Sequence, residues 1–153
     1  EKVYGTRALS DIGQIVIHHV GVDAVVSPQT TARYHVRKGW PGIGYAFYVR
    51  QDGAAYQTQA LETVSYHCGG TCNVCSIGIC LEGSFMDGRV PTDAQLGATR
   101  AVVGWLLAEL GLEVSAVKGH RDVRQTACPG NTWPQWRALV VPGADFYLVR
   151  TRC

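Results

Sequence analysis

The sequence lacks any apolar run approaching the roughly 18 residues needed to cross a bilayer, which excludes a membrane-spanning helix as the organising element. Its first stretch, EKVYGTRALS, lacks the apolar h-region of a secretory signal, so the chain as given reads as soluble, with prior removal of such a segment left open. Charge of one sign is also scarce. A formal net charge of +2 is too small to point to nucleic acid, although it favours loose association with an anionic polymer such as a cell wall. There is no internal repeat and no low-complexity linker, which excludes solenoids and arrays. The 153 residues, 46% of them hydrophobic, are enough for one core, and one domain over residues 1–153 is the expectation.

Two stretches stand out against this background. GQIVIHHVG (13–21) has the β-branched run Ile15, Val16, Ile17 of a strand buried on both faces, ending at His18 and His19. KGHRDVRQTACPG (118–130) is a loop that offers His120 and Cys128. A histidine at a strand terminus lies where open α/β sheets place ligand-binding groups. For one isolated residue a core histidine bonded to a carbonyl is the plainer reading. Imidazole and thiolate together are ligand types zinc prefers, and three protein ligands with a fourth position left to water make a catalytic site. The competing reading is a closed structural zinc with Cys80 or His19 as fourth ligand.

The rest of the chain alternates strands and helices. Ser27-Pro28 starts a helix expected to run to about Lys38 and stop at Gly39, with His35 structural. In GWPGIGYAFYVRQDGAAYQTQ (39–59), Tyr45, Phe47 and Val49 are expected on one strand face and Ala46 and Tyr48 on the other. Asp52-Gly53 marks a hairpin turn, with the return strand beginning at Ala55, Tyr56 and Gln57. SIGICLEG (76–83) alternates Ile77, Ile79 and Leu81 against Gly78, Cys80 and Glu82, so a thiol and a carboxylate share a face. Thr92 and Gln95 form a capping box for a long amphipathic helix closed by Gly111. Trp133 and Trp136 fall in a short helix, and Phe146 to Val149 reads as a final strand or ordered tail. Residues 1–12 read as a leader, and Arg150 and Arg152 as a solvated tail. The fold class is α/β, a central mixed β-sheet flanked by helices.

Four elements, IVIHH, GWPGIGYAFYVRQDG, SIGICLEG and GHRDVRQTACPG, occur in an order and spacing that resembles the zinc-dependent N-acetylmuramoyl-L-alanine amidases of the second type. That family includes phage amidase-type lysozymes and animal peptidoglycan recognition proteins, and the resemblance runs from about residue 14 to residue 137. It implies zinc held by His18, His120 and Cys128, with His19 a neighbour of the site. It makes Tyr45 the catalytic tyrosine, hydrogen-bonding a tetrahedral oxyanion, and Thr126 a neutral donor where phage enzymes carry lysine. His67 matches a histidine lining the substrate groove, and His19 is taken with it as substrate-binding. The implied reaction is hydrolysis of the amide joining N-acetylmuramic acid to L-alanine in peptidoglycan, by a monomer acting in the periplasm or outside the cell.

Two departures from the family pattern bear on the chemistry. Relatives that use a glutamate as general base carry it where this chain has Cys80, which leaves Tyr45, Glu82 or the metal's own hydroxide as candidates. Thr126 cannot hold a cationic charge over an oxyanion as lysine can. The alternative function is a receptor that binds muropeptides without cutting them. Non-catalytic relatives commonly lack the cysteine ligand, so Cys128 favours hydrolysis.

If Cys128 binds metal, five cysteines remain, and Cys80 in a core strand is the natural unpaired one. For Cys68, Cys72, Cys75 and Cys153, two disulfides, one disulfide, a second structural zinc and reduced thiols all fit, with at least one disulfide across the 63–75 loop expected. Cys72-x-x-Cys75 also has the spacing of a redox pair, without the fold context for one.

Overall fold

The structure is a computed structural model in which residues 2–143 are described. The expected final strand at Phe146–Val149, the tail arginines and Cys153 lie outside the described residues. Five strands form one mixed sheet: β1 (Gln14–His19), β2 (Phe47–Val49), β3 (Ala55–Gln57), β4 (Ser76–Leu81) and β5 (Val117–Gly119). Their order is β3-β2-β4-β1-β5. Within this sheet the β2–β3 hairpin pairs antiparallel, and β2, β4, β1 and β5 run parallel.

The two longest helices begin where side chains satisfy orphan backbone groups. Ser27 caps α1 (Pro28–Arg37) by accepting the Thr30 N–H at 3.1 Å. Thr92 and Gln95 close the capping box of α3 (Asp93–Leu110), and Gly111 ends it at φ 64°, a conformation glycine adopts without the cost a Cβ would impose. Short α2 (Thr71–Cys75) leads into β4, α4 (His120–Val123) follows β5 directly, and α5 (Trp133–Val140) carries both expected tryptophans.

The sheet divides two apolar layers. On one face Ile15, Ile17, Ile77, Ile79 and Leu81 meet Val103, Leu106 and Leu107 of α3 and Trp133 and Trp136 of α5. On the other face, a smaller cluster of Ile43, Tyr48 and Cys80 lies against Ala32 of α1 and Tyr45. His18 pairs in register with Cys80, and Cys80 with Tyr48, so these three residues form a row across adjacent parallel strands.

The face assignment for Tyr45 and Ala46 is corrected by this layering. Ala46 joins the large core with Phe47 and Val49, whereas Tyr45 joins Tyr48 and Cys80 on the site face. The phase breaks because the chain bends at Ala46 and β2 begins only at Phe47, so strand alternation does not extend back to Tyr45.

The leader is also more structured than its sequence suggests. Arg7 is buried, and its guanidinium donates to the carbonyls of Leu61, Asn73, Val74 and Ser76 at 2.6–3.1 Å. Burying a charge without a carboxylate is costly unless hydrogen bonds replace its water. These carbonyls do so, and they tie residues 5–7 to the end of α2.

Candidate metal centre

His18 and His120 come together because their strands are neighbours. Gly119 pairs with Ile17, so His120, the residue after β5, rises beside His18 at the C-terminal edge of the parallel strands. The ring centroids lie 4.5 Å apart. Cys128 returns to the same point: its Sγ is 3.6 Å from His18 Nδ1, and the Arg121 N–H donates to its carbonyl at 2.7 Å. One ligand atom from each of His18, His120 and Cys128 falls within 4.8 Å of the others. Among the described residues no fourth histidine, cysteine or carboxylate joins this group.

The donor set suits zinc in protonation as well as type. Burial, followed by the neighbouring histidines, holds His18 well below the ordinary imidazole pKa, and burial followed by Arg124 lowers His120. Both rings are therefore neutral with a free lone pair near neutral pH. Burial pushes the Cys128 thiol up to about 12, partly offset by the His19 backbone, so metal binding must displace its proton.

A hydrogen-bond chain fixes which nitrogen of His18 is free. Ser76 Oγ donates to the Cys72 carbonyl, so it is left to accept from His67 Nε2 at 3.3 Å. His67 Nδ1 then carries no proton and accepts from His18 Nε2 at 3.0 Å. His18 Nδ1 is the remaining lone pair, and it faces Cys128. His67 gains its position because β4 has glycine at residue 78, where a Cβ would lie 2.7 Å from the His67 ring. The ring therefore does more than line a groove.

Tyr45 stands beside this group, its ring centroid 5.3 Å from that of His18. Burial and then the thiols of Cys80 and Cys128 raise its pKa well above the usual phenol value, so it remains a proton-bearing donor. Thr126 Oγ1 accepts the Cys128 N–H at 3.2 Å, which leaves its hydroxyl proton available. Two open cavities flank the centre and share Trp40. One of about 490 Å³ includes Tyr45, His35 and Tyr34 in its wall, and one of about 390 Å³ includes His67, His120, Arg124 and Thr126.

Two expected residues point elsewhere. His19 faces the opposite side of β1 from His18, as strand alternation requires, and its Nδ1 accepts the Phe85 N–H at 3.1 Å. Its expected contact with substrate is thus corrected to an anchor for the 83–85 loop. Glu82, 1% exposed, has both oxygens committed: Val26 N–H donates to one at 2.6 Å and Gln51 N–H to the other at 3.0 Å, with Arg50 Nε 3.5 Å away. That carboxylate is a structural tie between loops.

The cysteine loop carries one disulfide, Cys68–Cys72, as expected across residues 63–75. Among the described residues Cys80 is buried and unpaired, and Cys75 has no disulfide partner. Sequence reasoning passed over Asn73, whose Oδ1 accepts three successive N–H groups, from His67, Cys68 and Gly69, at 2.8–3.0 Å. It also passed over Asp122, whose Oδ2 takes the Gly119 N–H at 2.7 Å and the Trp133 indole at 2.9 Å. An aspartate three residues after a strand-ending glycine was the available signal for the second.

Two neutral imidazoles and a thiol at the edge of a parallel sheet, with an open position and adjoining clefts, define a candidate metal centre of the catalytic type. Comparison with known proteins names the lineage. The family model for N-acetylmuramoyl-L-alanine amidase matches residues 8–131, and the chain belongs to that family. Peptidoglycan recognition protein 1 of Bos indicus is 33% identical over 149 residues, covering 87% of this chain and 78% of that protein. Among solved structures, the N-acetylmuramoyl-L-alanine amidase LysC from Clostridium intestinale URNW is 31% identical with a TM-score of 0.78, covering 91% of this chain and 90% of that one. The Ph2119 endolysin from a Thermus scotoductus bacteriophage is 26% identical with a TM-score of 0.78, covering 93% and 92%.

Proposed function

We propose that this protein is a zinc-dependent N-acetylmuramoyl-L-alanine amidase that hydrolyses the amide between the lactyl group of N-acetylmuramic acid and L-alanine in peptidoglycan. The observation that carries the reading is the convergence of His18, His120 and Cys128 without a fourth protein ligand, in a chain of the amidase family. A zinc ion held there would polarise the scissile carbonyl and supply a water acidic enough to attack near neutral pH.

The chain's own residues supply the rest. His18 and His120 present neutral imidazoles without needing to lose a proton, and His67 orients the His18 ring by accepting from its far nitrogen. Tyr45, kept protonated by burial, donates to the oxyanion that develops when the carbonyl is attacked, and the Thr126 hydroxyl adds a neutral donor. Tyr48 and Cys80, buried beneath Tyr45, keep that ring seated. No helix among the described residues is long and apolar enough to cross a membrane. The proposal has residues 1–153 act as one catalytic domain and as a monomer.

Digestion of purified peptidoglycan with and without a chelator tests this, with separate assays for new alanine amino groups and new reducing sugar ends. Chelator-sensitive release of alanine amino groups without reducing ends is the expected result. Wall binding without either product would replace hydrolysis by a receptor role.

A further inference from the structure

The cavity that includes His67, His120 and Thr126 in its wall contains one formal charge, the guanidinium of Arg124, and no acidic side chain. Arg124 makes no salt bridge among the described residues, although its side chain is held in place. Its Nε donates to the Cys68 carbonyl at 2.7 Å, and its backbone N–H donates to the His120 carbonyl at 2.9 Å. The first bond anchors the head group to the cysteine loop, and the second anchors the residue to the metal-ligand helix.

The loop is shaped to receive it. The Cys68–Cys72 bond closes the loop, and Asn73 gathers the N–H groups of His67, Cys68 and Gly69 inward. Gly69, at φ 76°, lies where a Cβ would come within 2.6 Å of Arg124 Nη2, so the absence of a side chain is what admits the guanidinium. Arginine is charged at all working pH values, and its planar fork matches a carboxylate through two parallel N–H donors. With Nε spent on Cys68, the Nη groups remain for a ligand.

We infer that Arg124, held by the disulfide-closed loop, is a specificity residue that binds a free carboxylate on the stem peptide of the substrate. This rests on the amidase reading, since it is that substrate which fixes the carboxylate's place. In a muramoyl peptide the lactyl carboxyl is consumed in the scissile amide. The free carboxylates therefore lie on the peptide side, and the cavity holding Arg124 takes the peptide. The same cationic group partly restores the charge that Thr126 does not supply, but at the substrate's peptide rather than at the reacting carbonyl.

The test uses the zinc-loaded protein and two synthetic muramoyl peptides that differ only in a stem carboxylate or the corresponding carboxamide. Wild type should favour the carboxylate by about tenfold or more in kcat/KM, carried mainly by KM, as expected for a charge-assisted pair. Arg124→Gln should lose that preference with zinc content unchanged, and Arg124→Lys should retain only part of it, because lysine cannot both reach Cys68 and present a fork. Equal handling of the two peptides by wild type, or an undiminished preference in Arg124→Gln, overturns the inference. Binding of the same peptides, followed by titration calorimetry, separates the two readings. Discrimination in binding that Arg124→Gln abolishes, without cleavage of either peptide, sinks the hydrolase and leaves the carboxylate site standing. Binding without discrimination sinks the site.

Discussion

His67 Nδ1 lies 3.0 Å from His18 Nε2, on the side of the His18 ring away from Cys128. The contact selects the His18 tautomer whose Nδ1 is free for metal, and Ser76 locks His67 in turn. Partners of this kind typically govern metal affinity by about 10- to 100-fold. His67→Ala should therefore weaken zinc binding by about that factor, and Ser76→Ala by less, as read by competition with a chromophoric chelator. Unchanged affinity in His67→Ala would confine that ring to contact with substrate.

Tyr45 and Cys128 separate chemistry from metal retention. Tyr45→Phe removes a donor to the oxyanion without touching a ligand atom, so turnover should fall about 10²- to 10³-fold with zinc content unchanged. Cys128→Ser replaces the thiolate by a hydroxyl and should lose zinc along with turnover. Near-normal turnover in Tyr45→Phe, measured beside metal analysis of both variants, would remove the proposed role of the phenol.

Much of this arrangement was legible in the sequence because period and punctuation were strong. The β-branched run before His18, the capping box at Thr92 and Gln95 and the turn at Asp52-Gly53 each specify a local conformation independent of the rest of the chain. The convergence of His18, His120 and Cys128 was legible because residues of ligand type stood near the end of a strand, at the start of the segment after another, and in the loop that follows. What could not be read depended on contacts distant in sequence. Arg7 finds its carbonyls some 54 to 69 residues away, and Glu82 is claimed by Val26, Gln51 and Arg50 instead of the metal centre. His19 followed from alternation, which placing it beside a site residue in sequence overlooked. Tyr45 lies on the opposite face from the one alternation implies because the chain bends at Ala46, ahead of the strand.

His35 sets a pH dependence for stability. Burial, aided by the charge of Lys38, lowers its pKa from 6.5 to about 4, while its Nδ1 accepts the Gly44 N–H at 3.0 Å. Between these values the unfolded chain binds a proton that the folded chain refuses. The contribution is thus fully present above about pH 6.5 and is lost as pH falls towards about 4, at up to roughly 1.4 kcal/mol per pH unit. His35→Gln keeps an acceptor for Gly44 but does not titrate. Urea midpoints measured across this range should fall less steeply in the variant, and identical slopes would show that His35 is not the group responsible.

Glu82 offers the sharpest contrast between position along a strand and commitment in space. It follows Cys80 on β4's site face in the sequence pattern, yet its two oxygens hold the Val26 and Gln51 N–H groups and its charge meets Arg50. Glu82→Gln turns one acceptor into a donor facing an N–H group, a mismatch that costs about 1–3 kcal/mol in a buried site. The expected outcome is a lower melting temperature with kcat within a few-fold of wild type, measured well below that transition. A general base removed in the same way would take about 10²-fold or more from kcat while leaving the melting temperature nearly unmoved. Measuring both quantities on one preparation therefore decides whether the carboxylate builds the loop framework or moves a proton.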